Sequence, residues 1–349
     1  MPRSFVSRYS VAAALVAAAS SVGSTASADD VASPAPPPEA APAPAPAPET
    51  APASPPPPAP APAPYSLPWQ LRPAAATTAV RSDTAFAKYE NAASNGGFTE
   101  ATSLLVSYKI PGTGEKWQGL APLVRLMAVN DAPPSRPGAY VPGALAIVNP
   151  LVGATYATDL GSSLRAAFSL CVTIPIGMGG GDTPDAGQAD ARKAGLPARS
   201  HMDNALFAVN DLTVIPGADI AWVSGGLTLQ AEVTLLQLMR VRGATKQPEA
   251  SKTNFTSGIH AGYYIVPEVS VGLDVRYQRW LNAPIAIDND KTNTLVDNWT
   301  AALGPRFHLP LGGSVKVHPG IAYARGFDKP MALATPNYHI VQLDIPVTF

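Results

Sequence analysis

Histidines 260, 308 and 318 fall at polar positions within alternating apolar and polar stretches, and imidazoles so placed can relay protons or ligate a metal. No H-E-x-x-H and no close His-x-His pair accompanies them, so side chains that fill an interior are the plainer expectation. Ser257 lies close to His260, but the alternation puts the two on opposite faces, which makes them a poor nucleophile and base. "GMGGGD" at 177–182 lacks a lysine at phosphate-loop spacing and opens no amphipathic helix, so it reads as the start of a loop. Cys171 is the single cysteine; it excludes an internal disulfide framework and has no recognisable base beside it. No metal, cofactor or catalytic constellation is expected.

What remains is charge. The same alternation directs Lys109, Arg125, Arg165, Arg240, Arg242, Arg276, Arg306 and Lys316 to one face, against Asp219, Glu232, Asp274 and Asp344. Facing an open pore, that excess of cations would favour anions, as rings of basic side chains do. In a narrow interior the same charges would pair and brace the wall. With a formal net charge of -1 over 349 residues, the chain carries no signature of a nucleic-acid partner.

The elements that must position these residues are strands. Phe255, Ser257, Ile259, Ala261, Tyr263 and Ile265 alternate with Thr256, Gly258, His260, Gly262 and Tyr264, and Val269 to Gln278 repeats the pattern after a tight turn. About twelve such segments are expected, at 74–89, 98–110, 117–129, 143–158, 162–176, 211–224, 226–242, 254–266, 268–281, 295–309, 313–326 and 336–349. Their connections alternate between short turns, at 111–114, 159–161, 224–226, 266–268 and 310–313, and long loops, at 130–143, 177–203, 242–254, 281–298 and 326–337. The polar face carries Gly, Thr and Ser with few Lys or Glu, which suits a crowded polar lumen better than bulk water. The loop 177–203 is long enough to fold inward as a constriction.

Ahead of the strands, Arg3 and Arg8 precede the apolar "VAAALVAAASSVG" and an Ala26-Ser27-Ala28 site, the pattern of a secretory signal cleaved after Ala28. Residues 29–64 are almost entirely Pro and Ala, a disordered polyproline-type linker of about 3.1 Å per residue. Residues 65–349 form the remaining domain.

The last segment, "YHIVQLDIPVTF", places Phe349, Val347, Ile345, Leu343 and Val341 at every second position. With the signal and the rhythm of short turns and long loops, it resembles the integral β-barrel proteins of bacterial outer membranes. The resemblance implies an all-β fold: a closed antiparallel transmembrane β-barrel, porin-like, surrounded by outer-membrane lipid. It also implies that Phe349 and the apolar residues before it are the signal read by the barrel-assembly machinery. Tyr108, Tyr277, Trp299, Phe307 and Tyr323 are placed to form the interfacial girdles. Passive passage of small solutes through a mildly basic lumen is the expected function. A structural or surface-display barrel, tethered to the cell wall through the linker, is the alternative, and an outer-membrane enzyme the third.

Overall fold

The computed structural model describes residues 63–90, 96–133, 143–243, 250–289, 295–327, 331 and 337–349, all within one compact unit, Pro60–Phe349. The expected signal (1–28) and nearly all of the linker (29–64) lie outside the described residues.

The wall is built from β1 (Ala79–Glu90), β2 (Gly96–Ser107), β3 (Gly119–Ala132), β4 (Ala144–Ile147), β5 (Leu151–Asp159), β6 (Leu164–Thr173), β7 (Asp211–Ser224), β8 (Leu227–Arg240), β9 (Ser251–Val266), β10 (Val269–Asn282), β11 (Asp297–Phe307), β12 (Leu309–Gly312), β13 (Val315–Val317), β14 (Gly320–Gly326) and β15 (Asn337–Thr348). Three wall strands are each interrupted near a proline. β4 and β5 flank Val148-Asn149-Pro150, β11 and β12 flank His308, with Pro310 just beyond, and β13 and β14 flank His318-Pro319. Proline removes a ladder donor, which is the local reason for such breaks. Counting each interrupted pair once, the wall is a closed antiparallel barrel of twelve strands, as the alternation predicts.

Closure is made by β15, which pairs with β1 over the full register from Ala79↔Thr348 to Glu90↔Asn337 and, on its other edge, with β13 and β14. The Phe349 amide adds a bond to the Thr78 carbonyl at 3.1 Å. In hydrocarbon every backbone donor must find its partner inside the protein, and an unclosed edge would leave a row of them bare.

The two faces of the wall are reversed relative to a water-soluble protein. Ile259 (63% exposed), Leu170 (58%) and Phe168 (55%) point outward, while Asp274 and His260 (0%), Arg306 (1%) and Gln230 (2%) are buried inside. Trp299 and Tyr323 are exposed at the long-loop end, and Tyr108, Phe307 and Phe349 at the short-turn end; Trp299 packs on the half-buried Tyr277 at 4.6 Å between ring centres. Among the described residues no helix is long and apolar enough to cross a membrane.

The first strand starts at Ala79, five residues later than expected. Residues 63–78, with Pro64, Pro68 and Pro73, do not enter the wall and instead lie inside it. A charge on the outer face has no water to meet, so Leu170→Arg should destabilise the folded barrel by about 2–4 kcal/mol in lipid, the cost of a cation near the bilayer midplane. Urea titration in lipid vesicles, read by heat-modifiable gel migration, measures this, and an unchanged midpoint would place Leu170 away from lipid.

Candidate functional site: a lumen filled from both ends

Residues 63–78 enter at the short-turn end, reach mid-lumen at Gln70 to Arg72 and turn back to join β1. Such a stretch cannot form a ladder, so its backbone donors have to be met by side chains. They are. The Ser66 amide donates to Thr228 Oγ1 (3.0 Å), those of Trp69 and Gln70 to Asp274 Oδ2 (2.8 and 2.6 Å), and that of Arg72 to Glu232 Oε2 (2.6 Å). Carbonyls are met in turn: Gln230 Nε2 donates to the Arg72 carbonyl (2.6 Å), Arg81 to that of Trp69 (3.0 Å) and Arg276 to that of Gln70. The Tyr65 hydroxyl donates to Gln230 and accepts from the Ala74 amide. Burial pushes that phenol above its ordinary range, so it stays a neutral donor.

The wall is carved to admit this plug. A Cβ on Gly262 would come within 2.0 Å of Ser66 Oγ, and one on Gly217 within 2.1 Å of the Arg72 guanidinium. These lumen-facing glycines are therefore sites where side chains of the plug approach the wall closely.

From the long-loop end the connection between β6 and β7 folds inward. It carries α1 (Ala186–Ala198), N-capped by Asp185, whose side chain accepts from the Gln188 amide at 2.9 Å, and α2 (Asn204–Phe207), all four of whose residues are buried. Asn149, fully buried in the wall, holds both ends of the loop, accepting from the Gly177 amide (2.9 Å) and donating to the Ala208 carbonyl (2.9 Å). The loop tip is fastened by ions. Arg199 bridges Asp83 (2.7 Å) and Asp203 (2.9 Å), and Arg125 grips Asp203 through both terminal nitrogens (2.7 and 3.0 Å). Burial alone would raise the Asp203 carboxyl, but Arg125 and Arg199 outweigh it and hold it well below the usual carboxylate range. Burial pushes nearby His201 down to about 4, so it is neutral.

The residues singled out from the sequence divide as follows. Glu232 and Asp274 receive the plug. Arg276 pairs with Glu232 (3.5 Å), and Arg306 pairs with Asp344 (2.6 Å) while lying 4.3 Å over the Trp69 ring. Arg125 binds the inward loop. Arg165 is stacked on Trp117 (4.2 Å) and lies 5.3 Å from the Tyr65 ring centre. Lys109 and Lys316 are at the short-turn rim, where Lys109 donates to the Lys116 carbonyl. Val341, Leu343, Ile345 and Phe349 are exposed on the outer face, and Val347 is half-buried between them in sequence.

The histidines lie in two places. His260 Nδ1 meets Asp274 at 2.6 Å, whereas His308 and His318 meet each other, Nδ1 to Nδ1, at 2.8 Å. His308 Nε2 also meets Ser270 Oγ at 2.7 Å, a serine to histidine contact that the sequence reading missed because the two lie 38 residues apart. That serine is buried (1% exposed), and another imidazole rather than a carboxylate orients its histidine. Among the described residues no group of three or more His, Cys, Asp or Glu could hold a metal ion.

Sequence reasoning also missed the plug itself. Its signal was "YSLPWQLR" at 65–72, where two aromatic residues and an arginine interrupt a run of Pro and Ala.

No protein-family model matches the chain, and no curated protein does. Among solved structures, the COG4313 outer membrane channel from Pseudomonas putida F1 is similar at TM-score 0.52 and 10% identity, over 80% of this chain and 98% of that one. The NanC porin (TM-score 0.43, 10% identity) and the KdgM porin (0.41, 8% identity) each match 77% of this chain and 98% and 99% of theirs. At these identities the likeness speaks for the fold alone. The fold is a closed antiparallel β-barrel of twelve strands, similar in architecture to that outer membrane channel.

Widening the wall residue beneath the plug should expel it. Gly262→Val is expected to leave heat-modifiable migration intact but to expose the 63–78 segment to chymotrypsin, with cleavage at Trp69. Resistance equal to wild type would mean that Ser66 is not held against this strand.

Proposed function

We propose that this barrel is a channel for small solutes, closed at rest by residues 63–78 and by the inward loop, and opened when the 63–78 segment leaves the lumen. The observation that carries this reading is how the segment is held. Most of its backbone bonds go to wall side chains rather than to a ladder, so it can withdraw without breaking the wall's pairing. Its continuation upstream is the Pro/Ala linker, through which a periplasmic partner or the cell wall could pull.

In this closed form Arg125, Arg276 and Arg306 are engaged by carboxylates, so the preference for anions expected from the mildly basic lumen belongs to the open state. Arg276 and Glu232 would then be released from the plug together. The alternative of a structural, envelope-tethering barrel draws support from the same double filling of the lumen, and conductance separates the two. In planar bilayers the full chain should be nearly silent, while a chain lacking 63–78 should show discrete conductance and a reversal potential shifted toward chloride, reduced by Arg276→Gln. Silence of the shortened but folded barrel would favour the structural reading.

We also propose that Phe349, with Val347, Ile345, Leu343 and Val341, addresses the chain to the barrel-assembly machinery. Deleting Phe349 should sharply reduce the heat-modifiable form in cells while unaided refolding in detergent still succeeds. Equal loss in both settings would reduce the residue to a closing contact of the seam.

A further inference from the structure

At the long-loop end, the closing seam carries a row of basic residues on its outer face. Lys88 of β1 lies directly opposite His339 of β15. One step beyond Ala324↔Ile340, the ladder between β14 and β15 brings Arg325 level with His339 on its other side. Their neighbours Ala87, Ile340 and Ala324 are buried inside the wall, so by alternation all three turn outward; Lys88 and His339 are exposed and Arg325 half-buried. The row runs on into apolar residues, Phe98 opposite Lys88 and Ala301 opposite Arg325. Two cations therefore flank one imidazole within two strand spacings, about 10 Å. Cations this close repel one another and draw in an anion. Among the described side chains of β1, β2, β14 and β15, the acid turned outward is Glu100; it stands opposite Phe86, one row nearer mid-barrel, and accepts from Thr102 Oγ1 at 3.1 Å.

Neighbouring rows fix the depth of this one. Trp299 and Phe327 lie one row nearer the loops, and Phe86, Val341 and Tyr323 one row nearer mid-barrel. Aromatic residues on both sides mark the level at which the apolar core of a bilayer gives way to headgroups. The Tyr323 hydroxyl meets His339 Nδ1 at 2.8 Å. With the phenol donating there, the ring hydrogen sits on Nε2 and is left to donate elsewhere. We infer that Lys88, His339 and Arg325 form a site for the phosphate monoester of a lipid in the leaflet at the long-loop end. A phosphate monoester brings up to two negative charges and three acceptor oxygens, one for each donor of the row. The long side chains of Lys88 and Arg325 reach it from either side of the imidazole, and the acyl chains descend over Phe86 and Tyr323. Such a lipid would bridge β1, β15 and β14 across the seam that closes the barrel. The site needs the barrel to sit in lipid but not to conduct.

The full folded chain in detergent micelles, titrated with dioctanoyl phosphatidic acid and read by native mass spectrometry, tests this. Binding should be saturable and at least about fivefold tighter than that of dioctanoyl phosphatidylglycerol, whose phosphodiester carries a single charge. Lys88→Gln and Arg325→Gln should each weaken phosphatidic acid about fivefold, the worth of one basic residue at a charged lipid surface. Arg279→Gln, which removes an exposed cation paired with Asp297 (3.4 Å) at the same end, should leave binding unchanged. Heat-modifiable migration checks that each variant is folded, and Lys88→Gln carries the test if Arg325→Gln is not. Equal affinity for the two lipids, wild-type affinity in the folded variants, or an equal loss in Arg279→Gln overturns the site. Displacement of phosphatidic acid by inorganic phosphate at the same concentration would make it a small-anion site and overturns the lipid assignment. Retention of phosphatidic acid by a chain whose 63–78 deletion is electrically silent would keep the site and remove the channel; conductance without lipid preference would do the reverse.

Discussion

The pairing of β15 with β1 is the interaction on which everything else rests. A sheet in hydrocarbon has no water to satisfy its edges, so an open twelve-strand sheet would expose two rows of backbone donors and acceptors at several kcal/mol each. The twelve-residue register between these strands removes both rows at once. It also creates an inside. Only after closure do the polar residues of each strand share one enclosed volume, and only then does an acid on β10 come to face a segment more than two hundred residues away, as Asp274 faces Trp69.

That enclosed volume is then governed by desolvation. A carboxylate or guanidinium buried in a narrow barrel is costly unless it is paired and hydrogen-bonded. The lumen answers with shared partners: Asp344 serves both Arg81 and Arg306, Glu232 serves Arg276 and the Arg72 backbone, and Asp203 serves Arg125 and Arg199. Because several of these partners come from residues 63–78 or from the inward loop, the two inserted segments are part of the charge balance. Removing either segment leaves wall charges to be resolvated by water, which is why emptying the lumen and changing its electrostatics are one event.

Much of the wall was legible from sequence because a strand between lipid and lumen repeats every two residues, and a mismatch in either solvent is penalised at once. β7 begins and ends where the alternation placed it, and β8, β9 and β10 lie within a few residues of their expected bounds. The polar parity of Glu232, Asp274, Arg276 and Arg306 was legible for the same reason. The plug was not, because a proline-bearing segment with no period has no pattern to read, and its partners are scattered over β1, β8, β9 and β10. The meeting of His308 with His318 and Ser270 was hidden likewise: each imidazole sits where a proline nearby interrupts its strand, so parity says nothing about which nitrogen meets which.

By itself, then, the sequence determined which side of each strand faces outward, that the strands number about twelve and which charges turn inward, since those follow from local alternation and the spacing of turns. Tertiary structure alone decided whether the interior is open. That depends on two irregular segments finding room beside glycines such as 217 and 262, and partners in carboxylates from distant strands. Cross-barrel fit of this kind is a property of the closed wall as a whole and leaves no trace in any one stretch of residues.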